Sequence, residues 1–180
     1  MQAFSPKLTS PDFLTTIVAD ACFLIALEGS GNLFLLRRAK RELKWRIIVP
    51  TAVYQEATKK EERRLKALLD DSVIQQVDPE ESPISRLSRR YPMLGKGEIE
   101  AMGYVLALSD KGGVFIVSDD QRAVKAIRQQ QLSSMSTLDF LSEMCHRSVI
   151  KKLELLDCIP RLRKVMWISE ETMDSFKASL

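Results

Sequence analysis

The chain has 180 residues, of which 45% are hydrophobic and 28% charged, as in a folded globular protein of one domain. Its net charge of +3 permits a nucleic-acid partner without requiring one. A single histidine and three widely spaced cysteines argue against a histidine-based zinc site or a Ser-His-Asp triad. With no long apolar segment and no signal-peptide pattern at the N-terminus, we expect a cytoplasmic protein with reduced thiols and no membrane association.

The first half of the chain alternates between apolar strand patterns and helix patterns. In chain order these are a strand at 15–20, a short helix with a glycine-rich turn at 21–32, an amphipathic helix at 33–44, a strand at 46–50 and a long helix at 51–71. Thr51 is a good N-cap residue for the long helix. An edge-like strand follows at 73–78.

The second half continues the alternation after a break. Residues 79–97 contain three prolines and predict a loop with at most a short helix. The patterns then predict a helix at 98–110, a strand at 114–118, a helix at 119–130, a short strand within 131–137, and helices at 138–149 and 168–180.

Alternating strands and helices predict an α/β fold, a three-layer α/β/α sandwich around a central, mostly parallel sheet of four or five strands. The strands show little period-two alternation, which is typical of strands covered on both faces. We divide the chain into an N-terminal extension (1–14), the main domain (15–148) and a C-terminal helical segment packed on the same domain (149–180).

Acidic residues recur where this fold would bring them together. Asp20 closes the first strand, and Asp119 and Asp120 close the fourth. Glu56 lies about a turn and a half into the helix after the second strand, and Glu98 lies in the first turn of the helix before the fourth strand. In an open parallel sheet the functional crevice lies beyond the carboxyl ends of the strands, so we expect these side chains to meet there.

Any one of these acids has a simpler explanation, as a helix cap, as a helix-dipole residue or, for Glu56, as an i,i+4 partner of Lys60. Glu56 follows Ala52 and Val53 by four and three residues, so we expect it on the buried face of its helix. The recurrence at matching places favours a shared cluster. Clustered carboxylates need a counter-charge, and their hard oxygens suit Mg²⁺ or Mn²⁺.

Three blocks of sequence resemble PIN-domain nucleases, and most closely their prokaryotic branch related to VapC-like toxins. They are "IVADACFLIALEGSGNLFLL", "RIIVPTAVYQEA" and "LGKGEIEAMGYVLALSDKGGVFIVSDDQRAVKAI", followed by the tail from Thr137. The resemblance covers residues 15 to 180. It implies an RNA-cleaving enzyme that uses Mg²⁺ or Mn²⁺, the toxin of a toxin–antitoxin pair, with an antitoxin protein and a second copy of the chain as partners.

The resemblance also implies roles for residues. Asp20, Glu56 and Glu98 match the first three family acids and would be catalytic metal ligands. The fourth acid is Asp120 if Ser118 takes the place of the family's small hydroxyl residue, and a one-residue slip would give Asp119. Both remain candidate metal ligands.

Three residues beside the acids are candidates for substrate binding, namely Lys96, Arg122 and Ser118. Residues 37–46 form a second basic stretch that could bind nucleic acid, with Trp45 expected in the core. Glu100 is expected to be solvated or to support the metal site indirectly.

Cys22 stands where the family often has Ser, Thr or Asn, and a thiol is a poorer hydrogen-bond partner. This departure favours an alternative, a non-catalytic PIN-fold module that binds a protein or RNA partner. A third reading is a nuclease directed at DNA.

Overall fold

The strands form one parallel sheet in a computed structural model that describes residues 15–59 and 62–178. They are β1 (Thr16–Ala19), β2 (Arg46–Pro50), β3 (Gln75–Val77), β4 (Val114–Val117) and β5 (Ser134–Met135), in the order β3-β2-β1-β4-β5. All four pairings are parallel, and β3 lies at an edge as predicted. The predicted α/β fold class and the five strands are confirmed.

Ten helices flank this sheet in the described part of the chain. They are α1 (Ala21–Gly29), α2 (Phe34–Leu43), α3 (Thr51–Ala57), α4 (Glu62–Asp70), α5 (Glu81–Arg90), α6 (Lys96–Ala107), α7 (Gln121–Gln129), α8 (Thr137–His146), α9 (Lys152–Leu162) and α10 (Glu170–Ala178). The helices cover both faces of the sheet, which gives the predicted three layers.

The prediction of one long helix over 51–71 is wrong, because the helix ends at Ala57 and a second helix begins at Glu62. Thr58 is the C-cap of α3, and its hydroxyl donates to the Tyr54 carbonyl at 2.8 Å. Thr51 does not cap the helix either. Pro50 is at the N-cap, and the Thr51 hydroxyl instead donates at 2.6 Å to Asp78, the residue that follows β3.

The prediction of a loop over 79–97 is also wrong in part, since α5 has ten residues. The three prolines of this segment do not interrupt the helix. Pro79 precedes the helix, Pro92 follows it, and Pro83 lies in the first turn, where a backbone N–H has no partner within the helix. Pro83 and Leu87 are the buried residues of this helix.

The core consists of two hydrophobic clusters, one on each face of the sheet. Along β1, Ile17 and Ala19 belong to the larger cluster and Val18 to the smaller one. The same alternation holds along β2 and β4, so both faces of each strand are buried. This explains why the strands read as continuous apolar runs.

The larger cluster includes residues from α9 and α10, among them Leu155, Leu162, Met173 and Phe176. The helices after residue 148 therefore pack on the same core as the sheet. The boundary at 148 stays a prediction, and the extension at 1–14 lies outside the described residues. Trp45 is buried in the same cluster, as expected.

Phe140 is the aromatic centre of the larger cluster. Its ring meets Phe23 and Trp45 edge to face, with centroids 5.1 and 6.0 Å apart, and its side chain is fully buried. We expect Phe140→Ala to lower the free energy of unfolding by about 3–5 kcal/mol in urea titrations, since it removes a large side chain and leaves a cavity. Phe34→Ala is the matched control, with a side chain that is 45% exposed, and it should cost about 0.5 kcal/mol. Equal losses in the two variants would contradict this description of the core.

Candidate functional site

The pairing between β1 and β4 brings the ends of these strands to the same level. Ala19 pairs with Val117, so Asp20 and Ser118 are the next residues on adjacent strands. The Asp20 amide donates to the Val117 carbonyl at 3.1 Å, and the Ser118 hydroxyl donates to Asp20 Oδ2 at 2.6 Å. At the carboxyl edge of the sheet, the carboxylate of Asp20 is therefore hydrogen-bonded to the neighbouring strand.

Asp20 is held by three hydrogen bonds and is only 3% exposed. Besides the bond from Ser118, Oδ1 accepts the Ala21 amide at 2.7 Å and Oδ2 accepts the Cys22 thiol at 3.1 Å. Asp20 is therefore the N-cap of α1, as the simpler explanation expected, and also lies at the carboxyl edge of the sheet.

Cys22 places a thiol between Asp20 and the end of β4. Its sulfur donates to Asp20 and accepts the Asp119 amide at 3.3 Å, so it connects the two strand ends a second time. Burial, followed by the negative charge of Asp20, raises the pKa of Cys22 to about 12. The thiol therefore keeps its proton and its donor role beside Asp20.

The two aspartates after β4 differ in their surroundings. The Asp119 carboxylate accepts the amide of Thr137 at 3.0 Å and is also bound by the Thr137 hydroxyl, so it is turned toward the start of α8. Burial raises the pKa of Asp119, against the opposing effect of these hydrogen bonds.

Asp120 is the N-cap of α7. Its Oδ1 accepts the amides of Arg122 and Ala123 at 2.7 and 3.0 Å, and Oδ2 lies 3.6 Å from the Arg122 guanidinium. Partial burial acts to raise the pKa of Asp120, but these amides and the guanidinium outweigh it and hold the pKa below its usual range.

Glu98 is electrostatically coupled to the other acids. It lies in the first turn of α6, half-buried, and a Cβ added at Gly95 would collide with its carboxylate. Burial raises the pKa of Glu98, and the carboxylates of Asp20, Glu56 and Asp120 raise it further. Three acids from separate parts of the chain therefore lie within electrostatic range of Glu98.

Gly97 lets α6 approach α3 closely. A Cβ at this position would lie 3.2 Å from Val53 Cγ2 and 3.4 Å from Glu56 Oε2. Glu56 itself is exposed, so the prediction that it lies on the buried face is wrong. The short helix α3 buries Ala52, Val53 and Ala57, and Glu56 lies beside this buried stripe with its carboxylate over Gly97.

The expectation that Glu100 is solvated is wrong, and the structure gives it a role in joining two helices. It is only 5% exposed, and its Oε2 accepts the Ala52 amide at 2.7 Å. Its Oε1 lies 3.5 Å from Lys96 Nζ. Because no side chain of α3 caps its N-terminus, Glu100 provides the missing acceptor and fixes α3 on α6. The spacing of Glu98 and Glu100 was visible in the sequence, but their division of roles depends on this helix contact.

The predicted substrate-binding residues lie at the same edge. Lys96 and Arg122 are largely exposed and each has a carboxylate nearby, Glu100 and Asp120 respectively. Ser118 is buried and bound to Asp20, which makes it a support for that carboxylate. Contact of these three residues with substrate stays a prediction.

The basic stretch 37–46 lies elsewhere, since Arg46 begins β2 at the amino edge of the sheet. Its arginines are largely paired. Arg37 binds Asp71, and Arg38 and Arg41 both bind Glu42.

The acids offer only oxygen donors of the kind that Mg²⁺ and Mn²⁺ prefer. Within residues 15–59 and 62–178, no three His, Cys, Asp or Glu side chains are grouped so that they could hold a metal ion. The fold thus brings three carboxylates within electrostatic range of Glu98 without placing their oxygens around one point. Glu56 is exposed and Glu98 is half-buried, whereas Asp20 is almost fully buried.

A family model described as a PIN domain matches residues 16–180. The chain therefore belongs to the PIN-domain family. PIN domains are generally nucleases, and PIN nucleases typically use divalent metals. No curated protein matches the sequence. In the part of the chain that the structure describes, none of the helices has the length and apolar character needed to span a membrane.

Glu98→Gln should stabilise the metal-free protein at neutral pH. The raised pKa means that folding disfavours the ionised form of Glu98, so the destabilisation is present above the raised pKa and absent below the ordinary value of 4.5. We expect the melting temperature to rise by about 2 °C at pH 7 in the presence of a chelator, and the gain to disappear on acidification below pH 4.5.

Glu81→Gln is the matched control for this measurement, since Glu81 lies in the first turn of α5 and is exposed. It should leave the melting temperature unchanged. A Glu98→Gln variant that melts below the wild type at pH 7 would contradict the proposed repulsion.

Glu100→Ala should destabilise the fold by about 1–3 kcal/mol, because the Ala52 amide would lose its buried acceptor. Glu100→Gln keeps an oxygen acceptor and should recover most of this loss in the same urea titration. Similar losses for Ala and Gln would show that the charge of Glu100, and not the hydrogen bond, stabilises the contact.

Proposed function

We propose that the chain is a metal-dependent ribonuclease that hydrolyses RNA phosphodiester bonds with Mg²⁺ or Mn²⁺. The single observation that carries this proposal is the convergence of Asp20, Glu56 and Asp120 on Glu98 at the carboxyl edge of the sheet, where burial, followed by these three carboxylates, raises the pKa of Glu98. Like charges brought together in a fold are costly unless a ligand neutralises them. A divalent cation is the ligand that suits these oxygens.

The four acids would share the metal. Asp20 is held rigidly by Ser118, Cys22 and the Ala21 amide, so it would be the fixed ligand. Glu56 and Glu98 would complete the site by rotation of their side chains. The hydrogen bonds favour Asp120 over Asp119 as the fourth acid, because Thr137 already occupies the Asp119 carboxylate from two sides.

When bound, the cation supplies neutralisation of charge on the phosphate and a lowered pKa for water. The chain contributes the rest. One carboxylate of the cluster would take the proton of the attacking water. The water oxygen then bonds to phosphorus as the bond to the leaving oxygen breaks. Lys96 and Arg122 would bind neighbouring phosphates, and Ser118 would keep Asp20 in place.

The finer assignment is that this ribonuclease is the toxin of a toxin–antitoxin pair related to VapC-like toxins, with an antitoxin protein and a second copy of the chain as partners. Its support is the sequence resemblance and the family membership. The non-catalytic alternative depended on Cys22. Its thiol donates to Asp20 as a hydroxyl would, which favours the enzyme.

The test combines metal-dependent melting with cleavage. At a Mn²⁺ concentration of about 100 times the dissociation constant, the wild type should gain about 2.7 kcal/mol, or several degrees in melting temperature. Asp20→Asn should lose this gain, and Glu81→Gln should keep it. With Mn²⁺ present, the wild type should cleave single-stranded RNA, and Asp20→Asn should not.

Two results would count against the proposal. If wild type and Asp20→Asn melt alike with and without Mn²⁺, the acids are not a metal site. If single-stranded DNA is cleaved and RNA is not, the chain is a nuclease of a different substrate class.

A further inference from the structure

A groove of about 800 Å³ begins at the carboxyl edge of the sheet, next to the residues that follow β4. Ser118 and Asp119 line one end of it, so it starts where β4 ends. The outer face of α7 forms one wall, and Ser136 and Thr172 contribute to the rest of the lining. Any chain-like ligand that lies in this groove therefore reaches the carboxyl edge of the sheet.

The wall formed by α7 is one continuous helix face. The residues of α7 that line the groove are Gln121, Val124, Lys125, Arg128 and Gln129. They recur at intervals of three and four residues, which places them on the same side of the helix. At 1.5 Å of rise per residue, Lys125 and Arg128 lie about 6 and 10 Å along the axis from Gln121. The cations are thus spread along the groove and away from the acids.

The polar groups of this face are free of protein partners. Considering residues 15–59 and 62–178, the side chains of Gln121, Lys125, Arg128 and Gln129 make no hydrogen bond or ion pair. Asp119 is the one acid among the lining residues, and Thr137 holds its carboxylate. The groove therefore presents two unneutralised cations and two free amides.

The second basic region of the chain differs in this respect. Arg37, Arg38 and Arg41 of α2 are already paired with carboxylates, and the stretch leads to the amino edge of the sheet. A polyanion would have to displace the partners of these three arginines. Lys44 and Arg46 of the same stretch are exposed and make no ion pair within residues 15–59 and 62–178, but they lie toward the amino edge of the sheet, away from the acids. The unpaired cations of α7 belong to a helix that begins at the carboxyl edge.

We propose that this groove holds the sugar–phosphate backbone of the RNA on one side of the bond that is cut, with Lys125 and Arg128 contacting phosphates. The inference rests on the proposed function, since it extends the substrate path away from the same acids. Phosphate contacts by Lys and Arg position a strand but carry no sequence information. The groove therefore contributes affinity and direction, and any sequence preference must come from elsewhere.

The test is RNA binding with metal removed, so that no cleavage occurs. Fluorescence anisotropy with labelled single-stranded oligo-U and oligo-A in a chelating buffer would compare the wild-type chain with Lys125→Ala/Arg128→Ala. The matched control is Arg63→Ala/Lys66→Ala, which removes two exposed cations at the same spacing from α4. Thermal melting of each variant checks that the fold is kept.

We expect the α7 double variant to bind both oligonucleotides about tenfold more weakly than wild type. The slope of log affinity against log salt should become shallower by about 1.4, which is the value for two lost phosphate contacts on a single strand. The α4 control should match the wild type in both measurements.

An α7 double variant with wild-type affinity and salt slope would overturn the inference. A second result would also overturn it. If a poly-glutamate peptide binds the wild type more tightly than RNA does, and the α7 variant no longer binds that peptide, the groove receives an acidic protein segment. These outcomes are separable from failure of the proposed function. Absence of metal-dependent cleavage rejects the nuclease activity, whereas the binding comparison is made without metal.

Discussion

The parallel pairing of β1 with β4 is the constraint on which the site depends. Because Ala19 lies opposite Val117, both strands end at the same level of the sheet, and the residues that follow them, Asp20 and Ser118, lie side by side. A shift of one residue would turn the side chains of β4 to the other face of the sheet and separate these two groups. The hydrophobic clusters on both faces fix the register, so burial of Ile17, Val18 and their neighbours indirectly positions a carboxylate.

The general location of the acids could be predicted because it depends on topology alone. Apolar runs identified β1, β2 and β4, and in a parallel sheet whatever follows each run emerges at one edge. Asp20 and the Asp119–Asp120 pair could be placed at this edge with no further information, although the sequence did not decide between the two adjacent aspartates. Burial is harder to foresee for Glu56, because α3 is only seven residues long and a small rotation of so short a helix moves a side chain from one face to the edge.

Contacts between distant elements account for what the sequence could not show. The hydrogen bond from Ala52 to Glu100 joins residues 48 positions apart, and neither residue type predicts such a contact. The same holds for Thr137, whose bonds to Asp119 distinguish two adjacent aspartates that look equivalent in the sequence. The rule that proline interrupts a helix also gave a wrong prediction at α5. Pro83 lies in the first turn of that helix, where proline is tolerated.

The neutral thiol of Cys22 has a consequence for the chemistry of oxidation. Peroxides and alkylating reagents attack thiolates, and a thiol with a pKa of about 12 supplies almost none at physiological pH. A cysteine can therefore stand beside the strand ends without becoming a point of oxidative damage. Burial, and then the negative charge of Asp20, keep the thiol protonated, so that it donates its hydrogen to Asp20 and is a poor nucleophile.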